Sequence, residues 1–144
     1  MNPTRRITLA LALAVFAALP LAAGSARAAD KAHKVVFQVS DADPGKWNLA
    51  LNNAANVQAD LGRDDVAIEI VAYGPGIGML KADSPAAARI SAALASGVAV
   101  VACENTMKAQ KLGTADMLPQ IGYVPAGVTE LMKRQKEGYA YIRP

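Results

Sequence analysis

Cysteine and histidine are nearly absent: 144 residues hold one of each, Cys103 and His33. One of each cannot assemble a Cys/His zinc cluster. A lone thiol supports neither a C-x-x-C redox pair nor an intrachain disulfide. A Ser-His-Asp triad has no well-placed histidine, because His33 falls where the N-terminal region is expected to fray. Asp41 and Asp43 offer oxygen to a hard cation, but Asp43 is better explained as a helix cap. No metal and no cofactor are expected. Repeats, low-complexity linkers and long charge blocks are missing as well, which leaves one compact domain.

A net charge of one sign disappears once the N-terminus is set aside. The stretch MNPTRRITLALALAVFAALPLAAGSARA has Arg5 and Arg6, an apolar run from Ile7, and the triplet Ala26-Arg27-Ala28. These are the n-region, h-region and cleavage site of a secretory signal peptide. Thr4-Arg5-Arg6-Ile7-Thr8 loosely matches a twin-arginine signal, but an arginine doublet is normal in any n-region and ordinary export is favoured. Pro20 interrupts the run and no stop-transfer pattern follows. The expectation is a signal over residues 1–28, cleavage after Ala28, and a periplasmic or secreted domain over 29–144 without stable membrane insertion. The full chain counts 15 Lys+Arg against 12 Asp+Glu. Arg5, Arg6 and Arg27 belong to the signal, where no acid accompanies them, so the mature chain is balanced. Its net field offers nothing to nucleic acid.

What is present is an alternation of strands and helices. Lys34 to Val39 is a β-branched apolar run, hence a buried strand. Asp43-Pro44 opens a helix, with Asp as N-cap and Pro at the first position. Trp47, Leu51, Ala54 and Leu61 fall on one face, and Gly62 closes it. Val66 to Tyr73 reads as the second strand. Ser84-Pro85 repeats the cap logic for a helix bearing Ile90 and Leu94, ended by Gly97. Val98 to Ala102 is the third strand. A short helix follows over about Asn105 to Leu112, then a brief strand at Gly122-Tyr123-Val124. The last helix spans about Ala126 to Glu137, with Val128, Leu131 and Met132 inward and Glu130 paired with Arg134 at i,i+4. Tyr139 to Arg143 ends the chain as a strand. Continuously apolar strands separated by amphipathic helices imply an α/β fold with a mostly parallel sheet.

Ligands of such sheets bind beyond the carboxyl ends of the strands. Four segments gather there: Ser40-Asp41, the glycine-rich Gly74-Pro75-Gly76-Ile77-Gly78, Cys103-Glu104-Asn105-Thr106, and the turn at Gly127. The candidate ligand-binding residues are therefore Ser40, Asp41, Gly74, Gly76, Glu104, Asn105, Thr106 and Gly127, with Cys103 as the candidate nucleophile. GPGIG does not match the dinucleotide fingerprint, because the next helix cap comes only at Ser84. A sharp turn near the site explains its glycines. The first helix also carries Asn48, Asn52 and Asn56 at i,i+4,i+8. That stripe is either a solvated face or a hydrogen-bonded subunit contact.

Taken together, Ala102-Cys103-Glu104-Asn105-Thr106-Met107 at a strand end, the short helix after it, and Gly122-Tyr123-Val124-Pro125-Ala126-Gly127 before an amphipathic helix resemble the DsrE/DsrF-like family. The closer likeness is to its exported single-domain members with an A-C-E-N-T-[ML] segment. The resemblance spans essentially the whole mature chain. It implies a three-layer α/β/α fold on a five-stranded sheet, and a homo-oligomer, trimer or hexamer. In the sulfur-relay members a cysteine carries sulfur as a persulfide between a donor and an acceptor protein, and Cys103 occupies the corresponding position.

The residues themselves leave two readings of Cys103 open. A thiolate is the nucleophile, and a helix start lowers a cysteine's pKa through amide donors and dipole; Glu104 opposes this as an adjacent negative charge. Alternatively Cys103 is a small buried hydrophobe. The function expected is a sulfur carrier or sulfurtransferase. The alternative is a non-catalytic small-ligand-binding module or oligomeric scaffold of the same fold.

Overall fold

The computed structural model describes residues 31–144. The expected signal peptide and its cleavage after Ala28 lie outside the described residues. Strand β1 (His33–Val39) leads to helix α1 (Pro44–Leu61), β2 (Val66–Ala72) and a 3₁₀ segment (Gly74–Leu80). Helix α2 (Ala87–Ala95), β3 (Ala99–Cys103), α3 (Glu104–Ala109), β4 (Gly122–Val124), α4 (Gly127–Lys136) and β5 (Ala140–Ile142) complete the chain. The five strands form one sheet in the order β4-β3-β2-β1-β5. All four pairings are parallel.

Handedness explains the layers. From β1 to β4 each connection steps toward the same edge, so right-handed crossovers place α1, α2 and α3 on one face. The connection from β4 to β5 returns across the whole sheet and carries α4 to the other. Strand alternation agrees. Val35, Phe37, Ile68, Ile70, Val100 and Ala102 join Trp47, Leu51, Ile90 and Met107 in the large core. Val36 and Val71 point the other way, to Leu131 of α4.

The local chemistry departs from expectation at several points. Asp43 does cap α1, accepting from the Gly45 amide at 2.8 Å. His33 does not fray: it opens β1 opposite Val66, and its amide reaches the Asp65 carbonyl at 3.0 Å. Ser84 does not cap α2 directly. Its hydroxyl accepts from the Ala86 amide at 3.2 Å in the turn before the helix, which delays the start to Ala87. Leu61 ends α1 exposed, as the last turn swings to Gly62.

Two corrections bear on function. Within α4 only Leu131 is buried of the three expected apolar residues; Val128 and Met132 are 54% and 55% exposed. The inward face is instead Gly127, Glu130, Leu131 and Arg134, because the sheet beneath carries a buried carboxylate, Glu69. The asparagine stripe of α1, in turn, faces α2. Arg89 donates to Asn48 Oδ1 and Asn52 Oδ1, both at 2.6 Å, so these two asparagines make a contact within the chain.

Candidate functional site around Cys103

Cys103 is the last residue of β3 and the N-cap of α3. It lies two residues after Val101, so strand alternation turns it toward the α4 face. Cys103 is buried, 5% exposed as a residue.

The groups that favour a thiolate here are the Thr106 hydroxyl and the backbone amides of Gly127, Thr106 and Asn105, although the Cys103 side chain makes no cap hydrogen bond to α3. The hydroxyl is preset for this. The Gly74 amide donates to Thr106 Oγ1 at 2.9 Å, which occupies the oxygen as acceptor and leaves its proton for the sulfur. The Asn105 amide also reaches the Pro125 carbonyl at 3.2 Å, tying the turn before α4 to α3. Burial alone would push the thiol pKa up, but the Thr106 hydroxyl and the three amides outweigh it, and the net direction is down. Thiolate is thereby favoured at a recessed position.

Two glycines serve close approaches. A Cβ on Gly127 would stand 3.0 Å from the Tyr73 side chain, so the first turn of α4 rests directly on that ring. A Cβ on Gly76 would meet the Val39 carbonyl at 2.3 Å, which fixes the buried 3₁₀ segment against the end of β1.

Of the candidate residues, Cys103, Asn105, Thr106, Gly74 and Gly127 are thus joined in one cluster. Glu104 opens α3 and is exposed. Ser40 joins at one remove: Gln38 Nε2 donates to its hydroxyl at 3.0 Å, and that hydroxyl meets Tyr73. Tyr141 extends the chain by donating to Gln38 Oε1 at 2.6 Å. Asp41 is occupied elsewhere, with Lys46 and Arg143 each 3.3 Å from its carboxylate and the Trp47 indole on its carbonyl at 2.7 Å. The Arg143 guanidinium leads in holding its carboxyl below the usual carboxylate range. A cleft of about 400 Å³ lies away from all of this, between α1 and α2, lined by residues such as Leu51, Ala54, Arg89 and Ala92.

Sequence reasoning missed Tyr73, Gln38, Tyr141 and Arg143. Their grouping depends on β5 pairing with β1, a contact between the two ends of the domain. Arg134 was seen only as a helix-surface partner of Glu130. Glu69 carried a signal that passed unused, a lone carboxylate inside the apolar strand VAIEIVA.

The DsrE/DsrF-like family model matches residues 33–144. The chain belongs to the DsrE/DsrF-like family. It is similar to a protein of unknown function from Methanobacterium thermoautotrophicum, with 38% identity, a TM-score of 0.74, and coverage of 78% of this chain and 99% of that one. The YchN protein of Escherichia coli shares the fold at 14% identity and TM-score 0.60, covering 78% and 99% of the two chains. A protein of unknown function from Bacteroides thetaiotaomicron does so at 16% identity and 0.59, covering 77% and 94%. No functionally curated protein matches the chain. For this DsrE-like chain the family therefore supplies the fold, while the chemistry has to come from the site.

Proposed function

We propose that this protein is an exported sulfur carrier of sulfurtransferase type that holds sulfane sulfur as a persulfide on Cys103. One observation carries the reading: a single thiol, with no second cysteine to resolve it, is recessed at the strand-to-helix junction beside the Thr106 hydroxyl and backbone amides that hold its pKa below the ordinary value. The thiolate attacks the outer sulfur of a sulfane donor. A new S–S bond forms at Cys103 as the donor's S–S bond breaks, and the electron pair leaves on the donor fragment, a thiolate or sulfite. An acceptor thiolate then attacks the outer sulfur and releases Cys103 as thiolate. No external oxidant enters either step. Recession of the sulfur limits mixed disulfides with bulky thiols in an oxidising compartment.

The reading includes export through the N-terminal signal to the periplasm or outside, and a homo-oligomer, trimer or hexamer. The self-contact is proposed on the α4 face, where Val128 and Met132 are exposed and α4 lies over β1, β2 and β5. The second reading, a non-catalytic ligand-binding or scaffold protein with a packing cysteine, draws on the 5% exposure of Cys103. Mass spectrometry separates the two. Treating the mature protein with thiosulfate or a persulfide donor should add one sulfur, about 32 Da, removable by reductant and absent in Cys103→Ser. A chain that gains no mass and whose thiol titrates near about 8.5 is the packing case.

A further inference from the structure

Helix α4 is weakly attached by apolar contact. Its buried residues are Gly127, Glu130 and Leu131, and only Leu131 is a large apolar side chain. Polar contacts do the rest. Arg134 Nη2 stands 2.6 Å from Glu69 Oε2 on β2, across the boundary between helix and sheet. The guanidinium also meets Glu130 Oε1 and Glu137 Oε2, both at 2.9 Å within the helix, and its carbon lies 5.4 Å from the centre of the Tyr139 ring. Lys133 stands 3.9 Å from Glu130. Glu69 is 2% exposed, and its Oε1 has no hydrogen-bond partner among the described residues. A half-satisfied buried carboxylate is costly.

The same helix begins at Gly127, just after Pro125, whose carbonyl accepts from the Asn105 amide at 3.2 Å, two residues beyond Cys103. The Gly127 amide is also one of the groups that lower the thiol pKa. Arg134 is two turns further on, about 10 Å along the axis. A helix with one apolar anchor can slide or rotate unless a second point is fixed. We propose that the Glu69–Arg134 ion pair is a positioning device: it fixes the seat of α4 on the sheet so that the turn leading into Gly127 stays on the start of α3 beside Cys103. Glu69 and Arg134 are positioning residues, since neither is among the groups that touch the sulfur.

The sign of one effect separates positioning from direct electrostatics. Removing the Glu69 charge makes the surroundings less negative, which by Coulomb's law alone lowers the thiol pKa or leaves it unmoved. Loss of the Gly127 amide raises it. The test is the pH profile of Cys103 alkylation by iodoacetamide. Glu69→Gln should move its midpoint up by about one pH unit, the loss of one charge-assisted hydrogen bond. Glu69→Asp retains the charge and the fold but withdraws the carboxylate by one methylene, and its midpoint should rise as well. Ile90→Val, in the core on the opposite face, should lower stability and leave the midpoint in place. A folded Glu69→Gln or Glu69→Asp protein with an unmoved or lowered midpoint overturns the proposal. It rests on the thiolate site and not on its cargo: a raised midpoint in a chain that gains no sulfur removes the carrier reading and keeps this one.

Discussion

On one face of the sheet Phe37, Ile70 and Val100 are sealed at no more than 1% exposure, beneath helices that add Ile90 and Met107. On the other, one helix meets the strands through Leu131, a glycine and an arginine. The first face buries apolar area, which is non-directional and contributes most of the folding free energy. The second is directional. Its ion pair and close glycine contact favour one seat for α4 on the sheet, and under the proposal above the Cys103 thiolate depends on that seat. The face that supplies most of the apolar burial and the face toward which Cys103 turns are different faces.

The comparison is broken most severely by cavities. Phe37→Ala should destabilise by about 3–5 kcal/mol in urea unfolding and leave the Cys103 midpoint unchanged, measured where the variant remains folded. Leu131→Ala should cost about 2–4 kcal/mol yet raise that midpoint, because it loosens α4. Equal midpoints in the two variants would erase the distinction between the faces.

Thr106→Val sharpens the site half of the comparison. It removes the hydroxyl from the sulfur and strands the Gly74 amide, costing about 1–3 kcal/mol and raising the thiol midpoint. A pH signature accompanies it. The folded thiol pKa is depressed, so its stabilisation is complete above the unfolded value of about 8.5 and is lost as pH falls through the folded value. Wild type should therefore gain stability over Cys103→Ser as pH rises toward about 8.5, and Thr106→Val should shrink that gain. A flat difference would place the sulfur among packing atoms.

The smallest effect concerns assembly. Met132→Lys on α4 should lower the mass seen in light scattering, with stability changed by no more than about 0.5 kcal/mol. Asn52→Lys on α1 should leave the assembly intact, because Asn52 already serves Arg89. The reverse pattern would return the subunit contact to α1.

How much of this was legible can be judged residue by residue. Asp43 announced its helix because a cap acts on amides two residues away. Cys103 was placed at the rim by strand order alone. Val128 and Met132 were misassigned because helical periodicity identifies an apolar stripe but not what the opposing surface demands. Here Glu69 demands Arg134, and the helix turns accordingly. Asn48 and Asn52 were unreadable for the same reason, their partner Arg89 being on another helix.

By itself the sequence determined the alternation of elements, the α/β class and the cysteine's position at a strand-to-helix junction. These depend on periods of two and 3.6 and on caps, interactions that reach only a few residues. Tertiary structure alone decided which groups surround the thiol, why Gly76 and Gly127 must lack a side chain, and how Arg134 meets the sheet. Each of those depends on groups far apart in the chain, such as Val39 with Gly76, Cys103 with Gly127 and Glu69 with Arg134. Val39 meets Gly76 through the parallel pairing of β1 with β2, while the other two meetings are fixed by the crossover that carries α4 to the opposite face, and no local pattern encodes those distances.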